Sequence, residues 1–151
     1  EQVRSGPESG LRLVCEVDAG FPRLEVNCPV RDLTGRLLGI ADLLDVDAGL
    51  VVEFDGAEHR GITRHNADLK KDEALRQVRM EVTRVSGTDL LNRRMVVQRL
   101  LHARARARFE PPQARLWVAE PVPDSAEQEL QEREALIDSY ERLREPQPRS
   151  A

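Results

Sequence analysis

LGIADLLDVDAGLVVEFDGAEH, residues 38–59 from Leu38 to His59, is the stretch whose reading decides the fold. It reads as two short strands joined by a tight turn. Side chains alternate along a strand, so Leu38, Ile40, Asp42 and Leu44 share one face of the first. In the second, Leu50, Val52 and Phe54 point one way, and Val51, Glu53 and Asp55 point the other. With the hairpin folded about Asp47-Ala48, the register places Asp42 opposite Glu53. Facing residues have Cβ atoms about 4.5–5.5 Å apart, where like charges are destabilising. Asp55, about 6–7 Å further along the same face, adds a third carboxylate. Three acids on one patch of an apolar hairpin call for a positive partner. A hard divalent cation is the simplest, because Mg²⁺ takes carboxylate oxygens and retained waters.

The chain has 151 residues, the size of one domain with a real core and a small appendage. Aromatics make up 3 %, so leucine, valine and alanine must form most of that core. There is no apolar run of about eighteen residues and no signal-peptide pattern, which predicts a soluble cytoplasmic protein with no membrane partner. Cys15 and Cys28 are expected to be reduced core thiols, and their spacing matches no metal motif. A start at Glu1 rather than methionine is compatible with a longer protein that carries a further N-terminal domain.

The formal charge of −4 is unevenly spread. Residues 111–151 hold nine acids and five bases, so residues 1–110 balance at eighteen of each. Within the balanced part no acid occurs between Asp89 and Glu110, whereas Arg93, Arg94, Arg99, Arg104, Arg106 and Arg108 do. Such a cluster suits a phosphate-binding face. A solvated, arginine-rich helix end explains it equally well.

Along the chain, Ser5 and Glu8 have the spacing of a capping box with Pro7 in the first turn, and Leu11, Val14 and Cys15 form the stripe of a first helix ending near Gly20. From Arg23 to Arg31, apolar Leu24, Val26, Cys28 and Val30 alternate as in a half-buried strand. The hairpin follows, with Asp45 and Asp47 serving its turn. A helix from about Thr63 to Arg79 has Ala67, Ala74, Leu75 and Val78 as its buried stripe, with Asp68 and Asp72 on another face. It carries Lys70 and Lys71, the only lysines, against twenty-one arginines. Glu81 to Ser86 is a fourth strand, and a helix from Thr88 or Asp89 to about Arg108 closes the core. After Pro111-Pro112, residues 115–119 suggest a short strand and residues 126–144 a Glu-rich helix. The division is a core of 1–110 and a C-terminal helical appendage of 111–151. The fourth strand returns after a helical crossover, which joins parallel neighbours. The fold class is therefore α/β: a mixed sheet with helices on both faces.

This αβββαβ order, with an acid on the second strand and an acid pair on the third, resembles the restriction endonuclease-like PD-(D/E)xK superfamily. It is most similar to the DUF559-type, very-short-patch-repair-like branch. The resembling residues are SGPES (5–9), Gly39-Ile-Ala-Asp42, VEFDGAEH (52–59), the Asp68–Asp72 helix and Thr83-Arg84-Val85-Ser86, together spanning about residues 5–100. The resemblance implies Mg²⁺-dependent endonuclease cleavage of DNA, with Mn²⁺ able to substitute. It implies Asp42 and Glu53 as metal ligands, Glu8 as an accessory acid and His59 as a catalytic or water-positioning group. One departure stands out: the E-x-K lysine is replaced by Asp55, as in the branch it most resembles. His59 is then the leading base, since imidazole titrates near neutral pH. Lys70 or Lys71 can reach in from the next helix, while His65 and His102 read as ordinary surface residues.

The expected mechanism is hydrolytic. Asp42 and Glu53 hold the metal, and Asp55 joins its shell or orients His59. Arg84, Lys70, Lys71, Arg93 and Arg94 meet the DNA backbone, where contacts position without reading sequence. A rival is a catalytically inactive nuclease-fold module that binds DNA or protein, favoured by the missing lysine and the near-zero core charge. A third reading is the regulatory or toxin-like half of a longer protein, docking through 111–151. A homodimer that cuts both strands stays open.

Overall fold

Leu50, Val51 and Val52 are all fully buried, a run that only a strand covered on both faces permits. That strand lies inside the sheet of a computed structural model that describes residues 6–56, 62–122 and 126–144. In chain order the elements are α1 (Gly6–Leu13), β1 (Glu25–Asp32), β2 (Leu37–Asp45), β3 (Leu50–Asp55), α2 (Ile62–Gln77), β4 (Glu81–Ser86), α3 (Arg93–Arg106), β5 (Trp117–Ala119) and α4 (Ala126–Arg144). The result is a mixed α/β fold with a five-stranded sheet in the order β4-β3-β2-β1-β5. β3 pairs antiparallel with β2 in the register expected from the turn, Leu43 facing Val52 and Leu44 facing Val51. Beyond the α2 crossover, β4 lies parallel to β3, with Glu53 beside Arg84.

Helices cover both faces. On one, Leu11, Val14 and Cys15 pack with Val52, Val85, Val96 and Leu100, joining α1 and α3 to the sheet. On the other, Leu75 of α2 packs with Leu44, Val51, Met80, Val82 and Trp117. The path of α1 runs on through a π-helical turn, Val14–Asp18, which buries Val14 and Cys15. Among the described residues, no helix is long and apolar enough to cross a membrane.

Three features differ from the sequence expectation, each for a physical reason. The first is β1, whose alternation predicted one buried face. Leu24 and Val26 instead join the α1–α3 cluster, while Cys28 and Val30 join the α2 cluster. Asn27, at φ 48°, takes a left-handed conformation that asparagine tolerates, and the strand rolls over there. The two free cysteines consequently lie on opposite faces of the sheet. The second is α2: Leu75 is buried as expected, but Ala67 is exposed and Asp72 is 6 % exposed. Asp68, Lys71, Asp72 and Leu75 have the i, i+3, i+4, i+7 spacing of one helix face. That face is the inward one, because the sheet supplies a partner for its acids. The third is the segment after residue 110, expected as an appendage. Its β5 pairs antiparallel with β1 (Val30 to Ala119, Asp32 to Trp117), so it completes the sheet. Its helix α4 returns to α1, with Tyr140 Oη donating to Asp18 Oδ1 at 3.0 Å.

The β2–β3 turn has a charged anchor. Asp45 is fully buried and its Oδ1 accepts from Ala48 N at 3.1 Å, the turn role expected of it. Its Oδ2 accepts from Arg104 Nε at 2.7 Å. The Arg104 guanidinium lies 5.4 Å from the centre of the Phe21 ring and 4.9 Å from that of Phe109, within cation–π range of both.

Candidate active site

The site forms where β2 and β3 leave their ladder. Beyond the Leu43–Val52 pair a side chain takes over: Asp42 Oδ2 accepts from Phe54 N at 2.9 Å. This bond fixes the Asp42 carboxylate beside Glu53, as the register predicts. Glu53 is 4 % exposed, so its charge has almost no access to water. Its positive neighbour comes from α2, whose Lys71 Nζ lies 2.6 Å from Glu53 Oε1 and donates to the Ile40 carbonyl at 2.5 Å. The lysine contact is close but poorly aligned, since Glu53 Oε1 is buried without a hydrogen bond of good geometry. We read it as an ion pair whose acceptor retains unused capacity.

Burial pushes the Glu53 carboxyl up to about 8, reinforced by the hydrogen bond its protonated form donates to Asp42 and by the charge of Asp42, with Lys71 offsetting part of the rise. Glu53 therefore favours its protonated form near neutral pH. An acid whose folded-state pKa is raised binds more protons folded than unfolded, so stability falls as pH rises from about 4.5 to about 8. The expected result is a melting temperature in EDTA that declines across this window, with saturating Mg²⁺ reducing the decline. A flat profile in EDTA would contradict a buried, protonated Glu53.

Arg84, on β4 beside Glu53, sends Nη2 to Asp72 Oδ1 at 2.7 Å and Nε to Asp72 Oδ2 at 3.2 Å, a two-pronged contact. Asp68 lies 3.9 Å from its Nη1. This pairing explains why α2 turns acids inward, and it holds the guanidinium next to the Asp42–Glu53–Lys71 group.

The residues fit a divalent cation in donor chemistry. Two hard carboxylates converge, one of them buried, raised in pKa and incompletely satisfied. Mg²⁺ is commonly held by one or two carboxylates together with waters and substrate phosphates. Among the described residues no three acids, histidines or cysteines gather into a closed metal cage. The fit is thus to an open, water-completed site.

The other expected site residues are distributed as follows. Asp55 is half-buried at the end of β3, next to Ser86 in register. Glu8 lies on α1 with its side chain outside the described part, and His59 lies outside the described residues. Lys70 points to solvent, unlike Lys71. The α3 arginines do not join the site: α3 covers the face opposite α2. Several are engaged there, Arg93 with Asp18 at 3.6 Å, Arg99 with Asp89 at 2.8 Å and Arg106 with Glu81 at 3.2 Å. Arg94 is exposed on α3. Asp72 was not foreseen as a site member, although its spacing from Leu75 carried the signal. Gly39, over which the Lys71 stem passes, enters the sequence reading only as part of the resembling strand, although glycine inside a strand marks close approach by another group.

The chain is thus a mixed α/β protein with a carboxylate pair of which Glu53 is buried, a lysine and a clamped arginine at one end of its sheet. Compared with known protein families, curated proteins and solved structures, it matches none.

Proposed function

We propose that this chain is a metal-dependent endonuclease of restriction endonuclease-like core, hydrolysing phosphodiester bonds in DNA as a cytoplasmic protein. One observation carries the reading: Asp42, Glu53 and Lys71 converge from β2, β3 and α2. The sequence lacks a lysine two positions after Glu53, and Lys71 supplies an ammonium to the same carboxylate from the helix.

Asp42 and Glu53 would hold Mg²⁺ or Mn²⁺. The cation would supply polarisation of the scissile phosphate and a water of lowered pKa. Lys71 brings a positive charge to the mouth of the acid pair, where it orients the attacking water and offsets charge on the phosphate. Arg84, held by Asp72, adds a second fixed positive charge beside Glu53. His59 remains the alternative base.

The test is plasmid nicking by the whole chain with Mg²⁺, Mn²⁺ or EDTA, beside Asp42→Ala and Glu53→Ala. Metal-dependent nicking lost in both variants supports the reading. Absence of nicking, with no rise in melting temperature on adding Mg²⁺, would overturn it. The pairing of Arg93, Arg99, Arg104 and Arg106 within the molecule favours a second reading, an inactive nuclease-fold module for protein interaction. That reading is the one left standing by the second outcome.

A further inference from the structure

Gly39 lies on β2 ahead of Asp42, and the stem of Lys71 crosses directly over it. A Cβ added to Gly39 would fall 2.7 Å from Lys71 Cγ and 3.0 Å from both Cδ and Cε. Non-bonded carbons rest about 3.5–4.0 Å apart, so a side chain here and the present path of the stem exclude each other. Three successive carbons are involved. The stem therefore lies flat over the Gly39 position, and displacing it displaces the ammonium. The backbone gives no other reason for glycine, since Gly39 is not among the glycines at positive φ. Glycine inside a strand is otherwise unfavourable and marks close approach by another group. Here that group ends in an ammonium set between Ile40 O at 2.5 Å and Glu53 Oε1 at 2.6 Å.

We propose that Gly39 is a positioning residue for Lys71: the missing side chain is the channel along which the lysine stem reaches the acid pair. The catalytic consequence rests on the hydrolase reading above, whereas the placement of the lysine does not.

The experiment is a cycle of Gly39→Ala and Lys71→Ala, singly and together, in the whole chain. It is followed by metal-dependent plasmid nicking and, independently, by thermal unfolding in EDTA. Lys71→Ala ends at Cβ and vacates the channel. Gly39→Ala alone is expected to lower kcat about 10–100-fold, the scale of an ångström misplacement, with KM for plasmid unchanged. It should also lower the melting temperature, because Glu53 loses its close ammonium. Added to Lys71→Ala it should cost nothing further by either measure, since coupled residues are not additive. Methylammonium should restore nicking to Lys71→Ala, whose channel is vacant, and less fully to the double variant, where a Cβ at residue 39 intrudes on the place of the stem. An equal cost of Gly39→Ala in both backgrounds would overturn the proposal. Should none of the proteins nick DNA, the hydrolase reading falls, and the unfolding cycle alone decides whether Gly39 acts through Lys71.

Discussion

Glu53→Gln is expected to stabilise the protein at pH 8 in EDTA and to abolish metal-dependent nicking. The opposite signs share one cause. In the folded chain Glu53 is nearly inaccessible, faces Asp42, and has its carboxyl pushed up to about 8. Ionising it there works against folding, and each pKa unit of displacement is worth about 1.4 kcal/mol. Glutamine keeps the shape and can donate to Asp42 without ionising. The gain should reach a few kcal/mol near pH 8 and vanish near pH 5, where the wild-type acid keeps its proton. The loss of function follows from the same removal of charge, since an amide is a poor partner for a hard cation. Lewis-acid stabilisation is worth several kcal/mol, and about 1.4 kcal/mol is tenfold in rate. Nicking should therefore fall about a thousandfold or more. Melting curves at pH 5 and pH 8 beside a nicking assay measure both. A Glu53→Gln protein that nicks DNA at the wild-type rate would remove Glu53 from the mechanism.

Arg104→Met is expected to cost about 2–4 kcal/mol, because removing the partly exposed arginine leaves the fully buried charge of its partner uncompensated. Asp45 is that charge: it is fully buried and its Oδ2 receives Arg104 Nε at 2.7 Å. Small domains are stable by about 5–15 kcal/mol, so the variant would lose a large part of its margin. Adding Asp45→Asn should restore much of the loss, since the amide still caps Ala48 N without carrying charge. Arg104→Lys should fall between, having no planar face to lay on Phe21 and Phe109. Urea unfolding of the three proteins gives the comparison. A cost below about 1 kcal/mol for Arg104→Met would mean that solvent already screens the pair.

The hairpin at the centre was legible because two local rules agreed. Period-two alternation gave the faces, and the Asp47-Ala48 turn set the register, where a slip of one residue would have inverted every side chain. That register brought Asp42 to Glu53. What depended on distant partners was not legible. Ala67 is apolar and fits the buried face of α2 by pattern, yet it is exposed and Asp72 lies inward because Arg84 waits on β4 to receive it. The α3 arginines resembled one phosphate-binding set, whereas Asp18, Asp89, Asp45 and Glu81 draw them to separate positions. Residues 115–119 read as a short strand, but only the folded sheet narrows it to 117–119 and names β1 as its neighbour. A glycine within β2 signals that something approaches closely, but that the approaching group is the stem of Lys71 lies in the path of a helix side chain and not in the strand itself.

Trp117 gives the molecule a built-in optical probe. It is the only tryptophan, it is 5 % exposed, and it sits on β5 with its ring near Gly49 and 4.9 Å from the Arg115 guanidinium carbon. Its emission therefore reports the docking of the last strand against the sheet, while far-ultraviolet dichroism is dominated by the helices. Coincident transitions by the two signals would mark a single cooperative unit reaching past residue 110. An earlier loss of tryptophan emission would mark β5 as the first piece to peel away.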